Sequence, residues 1–171
     1  TEISATASGR SRGFDSVFYF DPQDKVFKNN IEKTYWSLMQ KSIPGSDTQR
    51  LWLENYIGAA HSTEAVDRII AVLSGMTKIK KQKIDQDLRW SILSKLAQHN
   101  IKNISELIAA ETKKDTSARG IKSSYSALAS IPTLENKKKW FYELIDKNSK
   151  FSNEQQLAVM RGLFPADQME F

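Results

Sequence analysis

Residues 62–75 read STEAVDRIIAVLSG, and the fold class follows from how this stretch is built. Ser62 is a helix-capping type, because its hydroxyl can accept from a backbone N–H two or three residues further on. Val66, Ile69, Ile70 and Leu73 then recur at spacings of three and four, which puts them on one side of an α-helix. Gly75 stands where glycine ends helices, since it enters the left-handed region without a Cβ clash. The stretch predicts an amphipathic helix marked at both ends, with one apolar side to bury.

The same grammar repeats on either side of it. Upstream, Asp21 and Pro22 open a helix in which Phe27, Ile31, Tyr35, Leu38 and Met39 form the buried stripe, and Pro44 and Gly45 stop it. Ser46 and Asp47 begin the next, with Leu51, Ile57 and Ala60 inside. Downstream, Asp85 caps a helix that buries Leu88, Ile92, Leu93 and Leu96. Asn103 with Glu106 reads as a capping box for a fifth helix, using Ile104, Leu107 and Ile108. Asp115 or Ser117 opens a sixth, carrying Ile121, Tyr125 and Leu128 and ending near Pro132. Thr133 opens a seventh with Trp140, Phe141, Leu144 and Ile145. Ser152 with Gln155 opens an eighth with Leu157, Met160 and Phe164, ended by Pro165.

The expectation is therefore an all-α chain: about eight helices joined by short turns, which make consecutive helices antiparallel neighbours. No fixed-period repeat is visible, so the predicted architecture is an irregular superhelical stack of helix pairs, HEAT- or armadillo-like, with a concave face. Residues 1–17 are expected to be a flexible leader or remnant, with the helical domain over 18–171. The chain opens on Thr1 rather than Met, and it is expected to be truncated at both ends.

Composition narrows the chemistry. Hydrophobic residues make up 40% of the 171, an ordinary globular share. There is no cysteine, which excludes disulfides and thiolate metal sites and fits a cytoplasmic, reducing compartment. No apolar run approaches the ~20 residues that cross a bilayer, and no signal peptide opens the chain, so no membrane partner is expected. The net charge of +5 is spread among interspersed acids, without the clustered bases and stacking aromatics of a nucleic-acid binder, so no nucleic-acid partner is expected.

Catalytic motifs are missing as well. The two histidines, His61 and His99, are far apart in sequence and neither sits in His-Glu-x-x-His, so no metal ligand is assigned. No Gly-x-Ser-x-Gly elbow, dinucleotide fingerprint or phosphate loop occurs. No catalytic residue is assigned, and no cofactor for this chain. The most distinctive stretch is IDQDLRW, residues 84–90. Asp85 and Asp87 fall in a first helical turn, where free backbone N–H groups favour carboxylates. Arg89 can pair with a neighbouring acid, and Trp90 can pack between helices, so Asp85, Asp87 and Trp90 are read as structural. The loop MTKIKKQK, residues 76–83, carries four lysines. Lys80 and Lys81, together with Arg89, are the candidates for meeting a peptide carboxylate.

Several stretches, in order, resemble the C-terminal helical domain of aminopeptidase N-type zinc aminopeptidases, bacterial and endoplasmic-reticulum forms alike. They are PGSD at 44–47, STEAVDRIIAVLSG at 62–75, IDQDLRW at 84–90, AAETKKDTSARG at 109–120, IPTLENKKKWF at 131–141 and SNEQQLAVMRGLF at 152–164. The resemblance covers roughly residues 18–171. It implies a superhelical domain packed against a thermolysin-like catalytic domain of the same polypeptide. There it would close the substrate chamber and limit which peptides reach the zinc. The zinc, its ligands and the catalytic base lie upstream in that family, so this chain alone is expected to be inactive. A stand-alone helical-repeat module that binds a protein or peptide is the alternative the residues leave open.

Overall fold

The computed structural model describes residues 22–165 and residue 168. Eight helices follow one another among the described residues, with no strand: α1 Pro22–Lys41, α2 Asp47–Ala59, α3 Thr63–Leu73, α4 Gln86–Gln98, α5 Ile104–Lys114, α6 Ala118–Ala129, α7 Leu134–Ile145 and α8 Asn153–Leu163. Most starts are capped by side chains. Ser46, Ser62, Asp85, Ser117, Thr133 and Ser152 each accept from a backbone N–H in the first turn, and Ser152 with Gln155 completes a capping box. The box expected at Asn103 does not form. Asn103 is left-handed, at φ 62, and its side chain makes no capping bond, because in that conformation the side chain cannot reach back over the first turn. Asp21, the cap expected for α1, lies outside the described residues.

The helices pack as a stack. α1 lies on α2, and then α2 contacts α4, α4 contacts α6, and α6 contacts α8, while α3, α5 and α7 flank this even-numbered row. The direction of the row is set by side chains at the helix starts. Arg50 of α2 binds Asp85 at the cap of α4, Arg119 of α6 reaches Asp87 of α4 at 3.1 Å, and Lys122 of α6 reaches Glu154 of α8 at 2.7 Å. The four even helices therefore begin at the same end of the molecule and run parallel, and each odd helix returns against them.

One core runs through α1 to α6, built on Met39, Leu53, Tyr56, Ile69, Leu88, Ile92, Leu96 and Ile108. A second, around Ala129, Trp140, Val159 and Leu163, joins α6, α7 and α8, and Leu128 packs against both. Several residues expected inside are out. Phe27, Leu51 and Leu107 are more than two-fifths exposed, as are Phe141, Ile145, Leu157, Met160 and Phe164. α8 turns Ala158, Val159, Gly162 and Leu163 inward instead. The reason is the closeness of α6. A Cβ on Gly162 would stand 2.1 Å from the Ser126 carbonyl oxygen and 2.9 Å from the Ala129 Cβ. Only small residues fit that crossing, so the larger stripe on the same helix is left outside.

Candidate functional site

The IDQDLRW stretch forms the first turns of α4, and the structure gathers α2, the end of α3, α5, the α5–α6 turn and α6 around it. Asp85 accepts from the Leu88 N–H at 3.1 Å and receives a two-nitrogen contact from Arg50, with Nη2 to Oδ1 at 3.3 Å. The Arg50 hydrogen bond, reinforced by the backbone of α4, holds the Asp85 carboxyl below its ordinary range. Arg89 points inward. Its Nε and Nη2 donate to Glu111 Oε1 at 2.8 Å and Oε2 at 2.6 Å, and its Nη1 reaches the Leu73 carbonyl at 3.4 Å, closing the end of α3. Gln86 adds a third donor to Glu111 Oε1 at 2.8 Å. Glu111 is 3% exposed, and the Arg89 fork pulls its pKa down to about 2 against the opposing effect of burial. Such a bidentate pair is both strong and geometrically selective.

Trp90 completes the arrangement. Its buried indole N–H donates to Asp115 Oδ2 at 2.7 Å, and Asp115 Oδ1 accepts from Ser117 Oγ at 2.6 Å. The Ser117 bond, then the Trp90 bond, lower the Asp115 pKa. Asp85, Asp87, Arg89 and Trp90 thus tie α4 to α2, α6, α5 and the α5–α6 turn. The partners Arg50, Glu111, Asp115 and Arg119 are not legible as partners in the sequence. Three of them stand in the AAETKKDTSARG stretch, where an acid and a base a few residues apart look like any solvated helix surface.

Lys80 and Lys81 are placed differently. They lie exposed on the α3–α4 loop, and Lys81 is left-handed at φ 57. The loop leans on the α1–α2 turn, with the Lys81 carbonyl 3.1 Å from where a Cβ on Gly45 would be; Gly45 itself is at φ 82. Arg89 is taken up by Glu111 and the Leu73 carbonyl.

A second polar cluster holds α1 to the α2–α3 turn. Glu32, 5% exposed, accepts from the His61 N–H at 2.6 Å, the Ser62 N–H at 2.9 Å and the Ser62 hydroxyl at 2.6 Å. Burial works to raise its pKa, but the Ser62 and His61 hydrogen bonds outweigh that and hold it below the usual range. His61 Nδ1 lies 2.7 Å from Glu32 Oε1, without the alignment of a hydrogen bond. Beside it, Arg68 stacks over Trp36 at 4.7 Å from the ring centre. His99 ends α4 and meets the Ala60 carbonyl at 2.9 Å. Among the described residues no group of three or more His, Asp or Glu side chains converges as metal ligands do, so these residues do not fit a zinc site.

The sequence pattern of the ERAP1-like C-terminal domain matches residues 3–171. The chain belongs to that family. The aminopeptidase N of Streptomyces lividans is similar to it, 34% identical over 126 residues that cover 74% of this chain. The chain spans 14% of that relative's length. Within this ERAP1-like C-terminal domain, no helix of the described residues is long and apolar enough to cross a membrane. Its most distinctive motif forms a packing junction between α4 and its neighbours.

Proposed function

We propose that this chain is the non-catalytic C-terminal domain of a zinc metallo-aminopeptidase working in the cytoplasm, where it closes the substrate chamber and takes part in peptide binding and gating. The observation that carries this reading is the family match over nearly the whole chain, together with its similarity to an aminopeptidase N. The zinc and its chemistry belong to the catalytic domain of the same polypeptide. This chain's own contribution is mechanical and electrostatic. The Arg89–Glu111 lock holds α4 against α5 and the end of α3, and Lys80 and Lys81 present charge to a peptide carboxylate. Arg89 acts as a positioning residue through Glu111.

The test is kinetic and uses the full-length polypeptide. Aminoacyl anilides and a series of peptides of increasing length are compared, with and without Lys80→Ala and Lys81→Ala. Unchanged anilide turnover with a raised KM for the longer peptides supports the reading. An inactive full-length polypeptide, or a native product no longer than this chain, would overturn it in favour of a free-standing peptide-binding module.

A further inference from the structure

The two most exposed large apolar side chains among the described residues are Ile43 and Met76, at 77% and 76%. Both sit on turns at the end of the stack where the even helices begin. Ile43 is on the α1–α2 turn and Met76 on the α3–α4 loop, and the two turns touch through Gly45 and Lys81. Neither side chain anchors its turn. On the α3–α4 loop that is done by Ile79 and Ile84, which pack on the core.

Five exposed lysines, Lys41, Lys78, Lys80, Lys81 and Lys83, occupy the same two turns and the helix end beside them, and none is in an ion pair among the described residues. The nearby acids are already engaged. Asp85 is held by Arg50, Asp87 by Arg119 and Glu111 by Arg89, leaving Asp47 as the exposed acid of these turns. Arginines neutralise three of the acids of this end, and against Asp47 the five lysines remain in excess around two exposed apolar tips.

We propose that this end of the stack is a peripheral docking surface for an anionic lipid bilayer, with Ile43 and Met76 entering the headgroup region and the five lysines meeting the lipid phosphates. The chemistry discriminates among anionic partners. The two turns carry no aromatic side chain on which a base could stack and no unpaired arginine to fork onto a phosphate, as nucleic-acid surfaces do. A peptide carboxylate meeting Lys80 and Lys81 would leave the exposed Ile43 and Met76 unused, whereas a bilayer engages both the charges and the apolar tips. Apolar tips ringed by lysine combine the two attractions that interfacial anchors use. That no helix of the described residues can span a membrane does not bear on this, because a surface contact needs none.

The experiment is co-sedimentation with phosphatidylserine-containing vesicles, against pure phosphatidylcholine vesicles, for the chain and for the full-length polypeptide that carries it. Both should sediment with the anionic vesicles only, and high salt should release them. Each lysine near an anionic leaflet is worth roughly a fivefold change in affinity. Lys78→Glu, Lys80→Glu, Lys81→Glu and Lys83→Glu together should therefore weaken binding by on the order of a hundredfold or more. Ile43→Ser with Met76→Ser should also weaken it, with the helical signal and melting midpoint unchanged. No binding to anionic vesicles overturns the proposal, and so does binding indifferent to the Ile43 and Met76 changes and equalled by polyglutamate or DNA, which would mark a generic polyanion surface. Binding by the isolated chain that is lost in the full-length polypeptide overturns it too, since the face would then be a contact between domains.

Discussion

Replacing Glu111 by Gln is expected to loosen the whole stack, and the size of the effect can be worked from the structure. The change keeps shape and burial but removes the charge that receives both Arg89 nitrogens and the Gln86 amide. The carboxyl's pKa falls from 4.5 to about 2 on folding. At ~1.4 kcal/mol per unit that is about 3 kcal/mol of stability at neutral pH. Removing one partner of a buried pair costs a similar amount, because Arg89 is left beside a neutral group. For a chain of this size the melting midpoint should drop by roughly 6–12 °C. The pH dependence follows from the sign of the shift. A carboxyl with a depressed folded-state pKa contributes fully above its unfolded value and loses that contribution as pH falls toward the folded one. The gap between wild type and variant should therefore be full at pH 7, about half that at pH 3, and nearly closed near pH 2. Urea denaturation followed by circular dichroism across this range measures it. A gap below about 1 kcal/mol at pH 7, or one that does not narrow on acidification, would refute the assignment of Glu111 as the charged centre of the lock.

Two glycines in helices should respond oppositely to alanine. Gly58→Ala, with nothing within 4 Å of the new Cβ, should stabilise by up to ~1 kcal/mol through helix propensity alone. Gly162→Ala should destabilise by about 1–3 kcal/mol despite the same propensity gain, since its Cβ meets the backbone of α6; equal signs in paired urea titrations would contradict the close crossing. Trp90→Phe removes the indole donor to Asp115 and part of a buried side chain, so about 2 kcal/mol should be lost, and an undiminished midpoint would show the bond to be incidental. On the exposed side of α8, Leu157→Ser with Met160→Ser should leave stability within about 0.5 kcal/mol while reducing any concentration-dependent association seen by sedimentation velocity; a large loss of stability would mean that side is core.

The class of fold was legible because it rests on local signals. Cap chemistry depends on a side chain and a backbone N–H within three residues of each other, and Ser46, Ser62, Asp85, Ser117, Thr133 and Ser152 all cap where they stand. Apolar spacing in α3 and α4 also pointed correctly inward, since Val66, Ile69, Leu88, Ile92, Leu93 and Leu96 are buried. Asn103 shows where the local signal stops: its residue type favours capping, but the turn after α4 puts its backbone in the left-handed region.

Sequence by itself determined the helices, their order, and that the chain carries neither a thiol nor a recognised catalytic motif. Tertiary structure decided which side is inside where a helix offers more than one apolar stripe. On α8 two stripes competed, and the closeness of α6 selected Ala158 and Gly162 over the larger Leu157 and Met160, because a short interaxial distance rewards small side chains. It also decided what the charged residues do. Arg89 and Glu111 stand 22 positions apart, and nothing in a one-dimensional pattern distinguishes an acid that meets a buried guanidinium from one that faces water. That distinction belongs to the packing of α4 against α5, where burial and hydrogen-bond geometry turn two ordinary helix residues into the centre of the fold.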